Sequence, residues 1–457
     1  MNESLTLAKN IVSINYDDIP ANAVDITKKS LLDTLGVILA ASTLGEGCQE
    51  FVNLAIAAGG KKESTIIGFG VKVPAFMAAF ANGSMSHALD FEDAHDGALV
   101  HSNAATIPAA LAVAEAMGSV NGKEFLAAIV LGSDLVCRLG LALNEDLLEY
   151  GWYMPPILGA FGATTAVSKL LNLTEGQVLD AFSLTLCQAT CSAELTHSTH
   201  SVVRSIRDAF STKAGVLSAL LAKKGVSGFN QPIEGRAGLF NLYARGNYDP
   251  LMLTKGLGKT FEGANVSFKP WPSCRGTHPY IDAVLRILDS RRLKPGDVEE
   301  IKVVVSTVNK MLCEPLERKQ KPLTAIDAKF SLPFVIATAL LYGRVTLDHF
   351  TPQALSDEGV LKLARKVKYE VDTRLTRKEA MQGSLEIKTK KEMLSKRVGF
   401  PYGHPQNPIS QDGLVAKFMD CAAHSARRIP EKALNRLVEQ VLSLEEVKNV
   451  SDITRCL

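Results

Sequence analysis

The length, composition and charge of the chain set the first limits on what it does. At 457 residues it is long for a single hydrophobic core, so we expect two domains. Lysine and arginine number 50 against 48 aspartates and glutamates, a formal charge of +2, which argues against an extended nucleic-acid-binding surface. We therefore expect any anionic partner to be a small molecule bound in a pocket.

The eight cysteines are scattered along the chain, and the only close pair, Cys187 and Cys191, is spaced as neighbours on a helix face. That spacing matches neither a zinc ribbon nor an iron–sulfur site. The first residues lack the basic start and apolar run of a secretory signal, and no apolar stretch reaches ~18 residues without a polar interruption. We expect a reduced, cytoplasmic protein with no membrane partner.

From about residue 5 to residue 225, apolar residues recur at helical spacing. The clearest helices are predicted at 21–41, 75–88, 122–143 and 159–171. Alanine and glycine fill many of the apolar positions, and small side chains let helices approach closely, so we expect a compact bundle. No glycine-rich phosphate-binding fingerprint follows a strand here, and we expect no cofactor.

The pattern changes after residue 260. Short β-branched runs at 298–306, 367–371 and 384–389 predict strands, and helices are predicted between them at 278–291 and 334–342. Strand runs that alternate with helices in this way are typical of an α+β domain.

The tail after Pro408 becomes helical again and is predicted to pack back on the first bundle. The predicted fold is therefore mainly α. A large all-helical domain comprises residues 1–265 and 405–457, and a smaller α+β lid domain, residues 266–404, is inserted before the C-terminal helices.

The densest group of titratable side chains lies in one short segment, and its members are His87, Asp90, Glu92, Asp93, His95 and His101. Imidazoles titrate near neutral pH and carboxylates orient them, so the group supplies the parts for proton abstraction and return. A turn at 96–97 lies within the segment, before His101, and 108–117 is predicted to be a helix with Pro108 in its first turn. The segment is a candidate active-site loop between two helices.

A second motif spans residues 267–278. Two prolines stiffen it, and Gly276 permits close backbone approach. Lys269, Arg275 and His278 supply cationic or switchable donors, so this is a candidate carboxylate clamp at a domain boundary.

A third polar cluster spans residues 194–207 and is predicted to be a loop that feeds side chains into a cleft. It contains His197, His200, Arg204 and Arg207, and the two arginines are one helical turn apart.

These clusters together resemble the MmgE/PrpD family, whose members include 2-methylcitrate dehydratase, cis-aconitate decarboxylase and iminodisuccinate epimerase. The resemblance covers almost the whole chain. The segments that carry it are 32–36 (LDTLG), the loop from His87-Ala-Leu-Asp90 to His101, 214–225, 269–278 (KPWPSCRGTH), 327–333 and 407–410.

The resemblance implies a helical domain that carries an α+β lid, a homodimer, and a cleft between the domains that acts without metal on small di- or tricarboxylates. The family's acid/base aspartate falls on Asp90 and its histidine on His101. A lysine of the lid junction falls on Lys269, and His278 lies in the same motif.

Two departures from the family pattern bear on the reaction. Ala94 stands where the decarboxylases have threonine, and Arg204 aligns with a lysine. Because arginine stays charged, Arg204 would bind a carboxylate rather than donate a proton. These differences favour a lyase of the 2-methylcitrate dehydratase type, with an iminodisuccinate-type epimerase or a cis-aconitate-type decarboxylase as alternatives.

In the resulting hypothesis, Lys269, Arg204 and Arg275 hold the substrate carboxylates, with His278 beside them. His101, oriented by Asp90, moves a proton at the adjacent carbon.

Two rival functions remain open. One is a metal-dependent hydrolase, with ligands drawn from His87, Asp90, Asp93, His95 and His101. The other is a carboxylate-binding homologue without activity, suggested by Ala94 and Arg204.

Overall fold

The computed structural model describes residues 2–198, 201–291, 293–375 and 379–457. The protein is mainly α-helical with small sheets, as predicted. It divides into two compact units. The first comprises Met1–His197, Val203–Val266 and Ser410–Leu457, and the second comprises Ser198–Val202 and Ser267–Ile409.

The first unit begins with twelve helices and one hairpin, within the described ranges. The helices are α1 (Glu3–Ser13), α2 (Ala21–Leu44), α3 (Cys48–Ala57), α4 (Ala75–His87), α5 (Ser102–Met117), α6 (Gly122–Ala142), α7 (Met154–Leu170), α8 (Glu175–Leu186), α9 (Val203–Ile206), α10 (Asp208–Lys223), α11 (Leu239–Ala244) and α12 (Leu251–Thr254). The hairpin strands are β1 (Ser64–Ile66) and β2 (Val71–Val73), which pair antiparallel.

The second unit contains five helices and one four-stranded sheet in its described part. The helices are α13 (His278–Ser290), α14 (Leu316–Gln320), α15 (Ala325–Lys329), α16 (Leu332–Tyr342) and α17 (Glu358–Ala364), and the strands are β3 (Val298–Val305), β4 (Val367–Val371), β5 (Gly383–Thr389) and β6 (Met393–Val398). Three helices then complete the first unit: α18 (Gln411–Ala423), α19 (Glu431–Leu442) and α20 (Ser451–Thr454).

The hairpin corrects the prediction that the first domain is all helical. Its strands have three residues each, too few to show an alternating pattern in the sequence. Gly68 and Gly70 in the turn have φ values of +83° and +66°, in the left-handed region that glycine enters without steric cost.

Small residues do bring helices close together, as the sequence predicts. A Cβ atom built on Gly132 of α6 would lie 2.7 Å from the carbonyl oxygen of Gly162 in α7. A Cβ on Gly162 would lie 2.3 Å from a methyl carbon of Val136. Any side chain at either glycine would therefore push α6 and α7 apart.

Helix α6 is long and apolar enough to span a membrane by length and composition, but it is almost entirely buried within the protein. It also carries a buried ion pair, with Arg138 Nε 2.7 Å from Asp134 Oδ2. These features are typical of the core helix of a folded domain.

Helix α5 begins at Ser102, six residues earlier than predicted, so Pro108 lies inside the helix rather than in its first turn. Proline has no N–H to donate to the carbonyl four residues before it, here that of Ala104. The hydroxyl of Ser86 in α4 donates to this oxygen at 2.6 Å. A neighbouring helix thus satisfies the carbonyl that the proline leaves without its usual donor.

The sheet of the second unit has the order β4-β3-β5-β6, in which β3 and β4 are parallel and the other pairs are antiparallel. Alternate residues of β3 are buried, including Ile301, Val303 and Val305, as its sequence predicts. They belong to a core with Tyr280 and Val284 of α13. This core supports the helix that follows the second motif.

The contact of Ser86 with α5 predicts that Ser86 contributes more to stability than Ser84, another buried serine of α4. Ser86→Ala should lower the free energy of unfolding by about 1–2 kcal/mol, because it leaves the buried Ala104 carbonyl without its donor. Ser84→Ala is the matched control, since the buried Ser84 hydroxyl donates only within its own helix, to Ala81. Urea unfolding measures both, and equal losses would contradict this account.

Candidate active site in the helical unit

The loop between α4 and α5 is held as a narrow turn. The His95 N–H donates to the Val100 carbonyl and the Leu99 N–H to the His95 carbonyl, both at 2.9 Å. His87 is the last residue of α4, and His101 is the N-cap residue of α5. The loop thus lies between two helix ends, as predicted, and returns His101 to the vicinity of His87, with ring centroids 4.8 Å apart.

A buried carboxylate, that of Glu92, joins these two imidazoles. Glu92 Oε1 accepts from the Nδ1 of His87 and lies 2.8 Å from the Nδ1 of His101. Glu92 and His87 are fully buried, whereas the side chain of His101 keeps 15% of its surface exposed. Of the two rings, that of His101 is the one open to a ligand.

Two oxygens fix the tautomer of His101. Its Nδ1 lies 2.8 Å from the Glu92 carboxylate and 3.3 Å from the Asp93 carbonyl. Because both oxygens only accept hydrogen bonds, Nδ1 carries the proton. Its Nε2 then keeps a lone pair and can act as a base, while Glu92 would stabilise the imidazolium that forms.

Asp90 lies in the same group. The nearest potential ligand atoms of His87, Asp90, Glu92 and His101 all lie within 4.8 Å of one another. Asp90 is fully buried, with a left-handed backbone at φ +49°. The structure therefore brings the predicted pair Asp90 and His101 together, but the carboxylate that pairs with His101 is Glu92, a role that the sequence analysis gave to Asp90.

Burial is the main reason that the pKa of His87 lies below its ordinary value, and the positive charge of Arg207 lowers it further. Glu92 acts in the opposite direction. His87 is therefore neutral near pH 7, with Nδ1 donating to Glu92.

A second layer of buried polar groups fixes the loop. Asn103 Nδ2 donates to Asp93 Oδ2 at 2.6 Å. Lys417 of α18 lies 2.6 Å from Asp33 Oδ1 and donates to the Phe91 carbonyl at 2.6 Å, with its ammonium group 3.8 Å from the centre of the Phe91 ring. Helix α18 thereby holds the peptide adjoining Glu92.

The motif at 267–278 belongs to the second unit, where its three predicted residues are buried. The Nη1 of Arg275 lies 3.2 Å from Nδ1 of His278, and Nε2 of His278 lies 3.2 Å from the Ser273 carbonyl. The carbonyl must accept from Nε2, so Nδ1 accepts from Arg275, and both ring nitrogens of His278 are used within the motif. This favours His278 as a residue that positions Arg275. The assignment of Lys269, Arg275 and His278 to the substrate stays a prediction.

The third cluster is partly helical. Arg204 lies in α9 and is buried, and Arg207 precedes α10 and is fully buried. The ring centre of Tyr153 lies 5.8 Å from Cζ of Arg204 and 5.0 Å from Cζ of Arg207. His200 lies outside the described residues.

The group that could hold a metal differs from the predicted ligand set. Within the described ranges it contains Glu92 and lacks Asp93 and His95. Asp93 accepts from Asn103, and the Nδ1 of His95 accepts from the N–H of Ala98 at 3.0 Å. Sequence reasoning undervalued Glu92 because its role depends on the turn that brings His87 and His101 to the same oxygen.

A buried carboxylate that orients an imidazole with one free nitrogen is a pattern of general acid–base enzymes. The chain belongs to the MmgE/PrpD family. The model of the MmgE/PrpD N-terminal domain matches residues 5–251, and that of the MmgE/PrpD C-terminal domain matches residues 271–444.

The relatives with curated names are enzymes. A cis-aconitate decarboxylase-like protein of Aspergillus oryzae is 27% identical over 99% of this chain and 96% of its own length. The human cis-aconitate decarboxylase is 26% identical, over 94% of this chain and 89% of its own. The 2-methylcitrate dehydratase of Escherichia coli is 22% identical, over 93% and 91%.

The Lys417 contacts predict a large loss of stability when this lysine is replaced. Lys417→Met should lower the free energy of unfolding by about 3–5 kcal/mol, because Asp33 is left as a buried charge without its cation. Lys29→Met is the control, since its 2.6 Å pair with Asp25 is much more exposed and should contribute at most about 1 kcal/mol. Similar losses in the two variants would rule out the anchoring role.

Burial and the nearby carboxylate of Asp33 raise the pKa of Asp93 to about 6. Folding therefore favours the protonated form of Asp93. The resulting stabilisation of the folded state is complete below pH ~4 and is lost as the pH rises through about 6. Asp93→Asn removes the titration, so the stability of the variant relative to wild type should increase from pH 4 to pH 7, by on the order of 3 kcal/mol. Unfolding at several pH values measures this, with exposed Asp17→Asn as the control. A pH-independent difference for Asp93→Asn would contradict it.

Proposed function

We propose that this protein is a lyase that moves a proton beside a carboxylate of a small di- or tricarboxylate, in a reaction of the 2-methylcitrate dehydratase type. The observation that carries the proposal is the 2.8 Å contact between Glu92 and Nδ1 of His101, which leaves Nε2 as a base on the most exposed ring of the group. Family membership supports the same class of chemistry.

In the proposed reaction, Nε2 of His101 takes the proton from the carbon next to the substrate carboxylate. The electron pair of that C–H bond forms the carbon–carbon double bond, and the adjacent C–O bond breaks. Asp90 gives a proton to the departing hydroxide, which leaves as water. Glu92 stabilises the imidazolium on His101 throughout, and because Glu92 is buried its charge is only weakly screened.

A decarboxylase is the second candidate, because the cis-aconitate decarboxylases are somewhat more similar to this chain than the dehydratases. In that reaction CO2 leaves and the carbon left behind takes a proton from the enzyme. An epimerase would return a proton to the opposite face of the carbon. All three exchange a proton at a carbon atom of the substrate, and they differ in whether a C–O bond, a C–C bond or only a C–H bond breaks.

Incubation with a panel of di- and tricarboxylates in deuterated water, followed by NMR, separates the three reactions. The panel includes 2-methylcitrate and cis-aconitate. A dehydratase forms an alkene from the hydroxy acid, a decarboxylase releases CO2, and an epimerase incorporates deuterium with inversion. Absence of all three signals across the panel would leave a carboxylate-binding homologue and would contradict the proposal.

Variants of the site test the assignment of roles. His101→Ala should lower turnover by about 10²–10⁴-fold, and Glu92→Gln by at least about 10²-fold, because general acid–base catalysis contributes this much. His95→Gln, in the same loop but outside the group, should keep most of the activity. A near-normal rate in folded His101→Ala would overturn the assignment of the base.

The proposed mechanism assigns no step to a metal, and the Nδ1 atoms of both histidines already face the Glu92 carboxylate. Chelation should leave the rate unchanged. If chelation abolishes the activity, and elemental analysis finds a stoichiometric metal that restores it, the hydrolase would be favoured.

The homodimer and the cytoplasmic location stay proposals drawn from the family resemblance and the composition.

A further inference from the structure

Arg207 is a buried arginine whose hydrogen bonds are only partly used. Its side chain is 1% exposed, and its Nη1 donates to the Arg204 carbonyl. The nearest carboxylate oxygen, Asp208 Oδ2, is 3.6 Å from Nε, too far for a hydrogen bond. Among the described residues, neither Nε nor Nη2 has a hydrogen-bond partner.

Arg138, another buried arginine of the first unit, has a hydrogen-bond partner for each of its three guanidinium nitrogens. Its side chain is also 1% exposed. It donates from Nε to the Asp134 carboxylate, from Nη1 to the Lys255 backbone carbonyl and from Nη2 to the Thr260 backbone carbonyl, at 2.7–2.8 Å. Leaving charged donors buried and unbonded is costly. A folded chain keeps such an arrangement where a ligand completes it.

The unbonded atoms of Arg207 form one edge of the guanidinium. Nε and Nη2 point the same way and bind the two oxygens of a carboxylate in parallel. The protein uses this edge in Arg286, whose Nε and Nη2 lie 2.7 and 2.8 Å from the two oxygens of Asp282. Arg374 holds Asp372 in the same way, at 2.9 and 2.8 Å.

The position of Arg207 connects this edge to the candidate active site. Its charge lowers the pKa of His87, and it interacts electrostatically with Glu92. The nearby carboxylates of Glu92 and Asp208 would repel a dianionic phosphate more than a single carboxylate group. Tyr153 packs near the guanidinium face, at 5.0 Å from Cζ, so the edge is the part left for a ligand.

We propose that the Nε–Nη2 edge of Arg207 binds one carboxylate group of the substrate, beside the pair formed by Glu92 and His101. This inference rests on the proposed function for the identity of the ligand. It adds a substrate-binding residue that is distinct from Arg204, the arginine that the sequence analysis selected.

Binding of unreactive carboxylates tests the inference without turnover. Succinate and tricarballylate are titrated into wild type and Arg207→Gln at pH 7 by calorimetry, and the loss of a two-point charged contact should weaken binding by about 10- to 100-fold. Arg207→Lys keeps the charge but not the edge and should also bind more weakly than wild type. Arg286→Gln is the matched control and should bind like wild type, because its edge already holds Asp282.

Two results would overturn the inference. One is a folded Arg207→Gln variant that binds either probe as tightly as wild type does. The other is a wild-type protein that binds neither probe at 10 mM, a concentration on the order of the Kd of a weak metabolite site. If Arg207→Gln does not fold, Arg207→Lys decides in the same way. Reaction of wild type in deuterated water is measured separately, so the inference can fail while the proposed function stands.

Discussion

The bridge from the buried Glu92 carboxylate to the Nδ1 atoms of His87 and His101 is the interaction on which the candidate site depends. It sets the tautomer of His87, whose Nδ1–H donates to Glu92, and together with the Asp93 carbonyl it sets that of His101. It also joins the last residue of α4 to the N-cap of α5. A single side chain thus closes the loop and prepares the proposed base.

Buried charge around this bridge is compensated by groups from distant parts of the chain. Asp33 comes from α2 and Lys417 from α18, nearly four hundred residues later in the chain. Asn103, in the first turn of α5, holds Asp93. The C-terminal helices are therefore part of the site's support, and the first unit cannot form it from its N-terminal segment alone. Arg207 has an ion-pair contact with Asp208 at 3.6 Å, but among the described residues its Nε–Nη2 edge has no hydrogen-bond partner.

Two of the five helices of the second unit, α13 and α16, and three of its four strands could be predicted from their apolar pattern. The short helices α14, α15 and α17 have only five to seven residues and were not predicted. The fourth strand, β6, has the sequence MLSKRV and is mostly exposed, so it shows no buried face in the sequence. The start of α5 was missed because Pro108 is a helix-start signal, and only the Ser86 contact explains its interior position. Asp90 and His101 could be found from clustering and resemblance. The role of Glu92 and the unbonded edge of Arg207 depend on turn geometry and on burial, which local sequence does not encode.

The left-handed backbone of Asp90 limits which residues can stand at that position. Aspartate, asparagine and glycine tolerate φ near +49°, whereas alanine adds roughly 1–2 kcal/mol of backbone strain. Replacement of Asp90 by alanine would therefore combine the loss of the carboxylate with backbone strain, whereas replacement of Glu92 by alanine would remove the carboxylate without this strain. Replacement of Asp90 by asparagine removes the charge alone. Of aspartate, asparagine and glycine, only aspartate can exchange a proton.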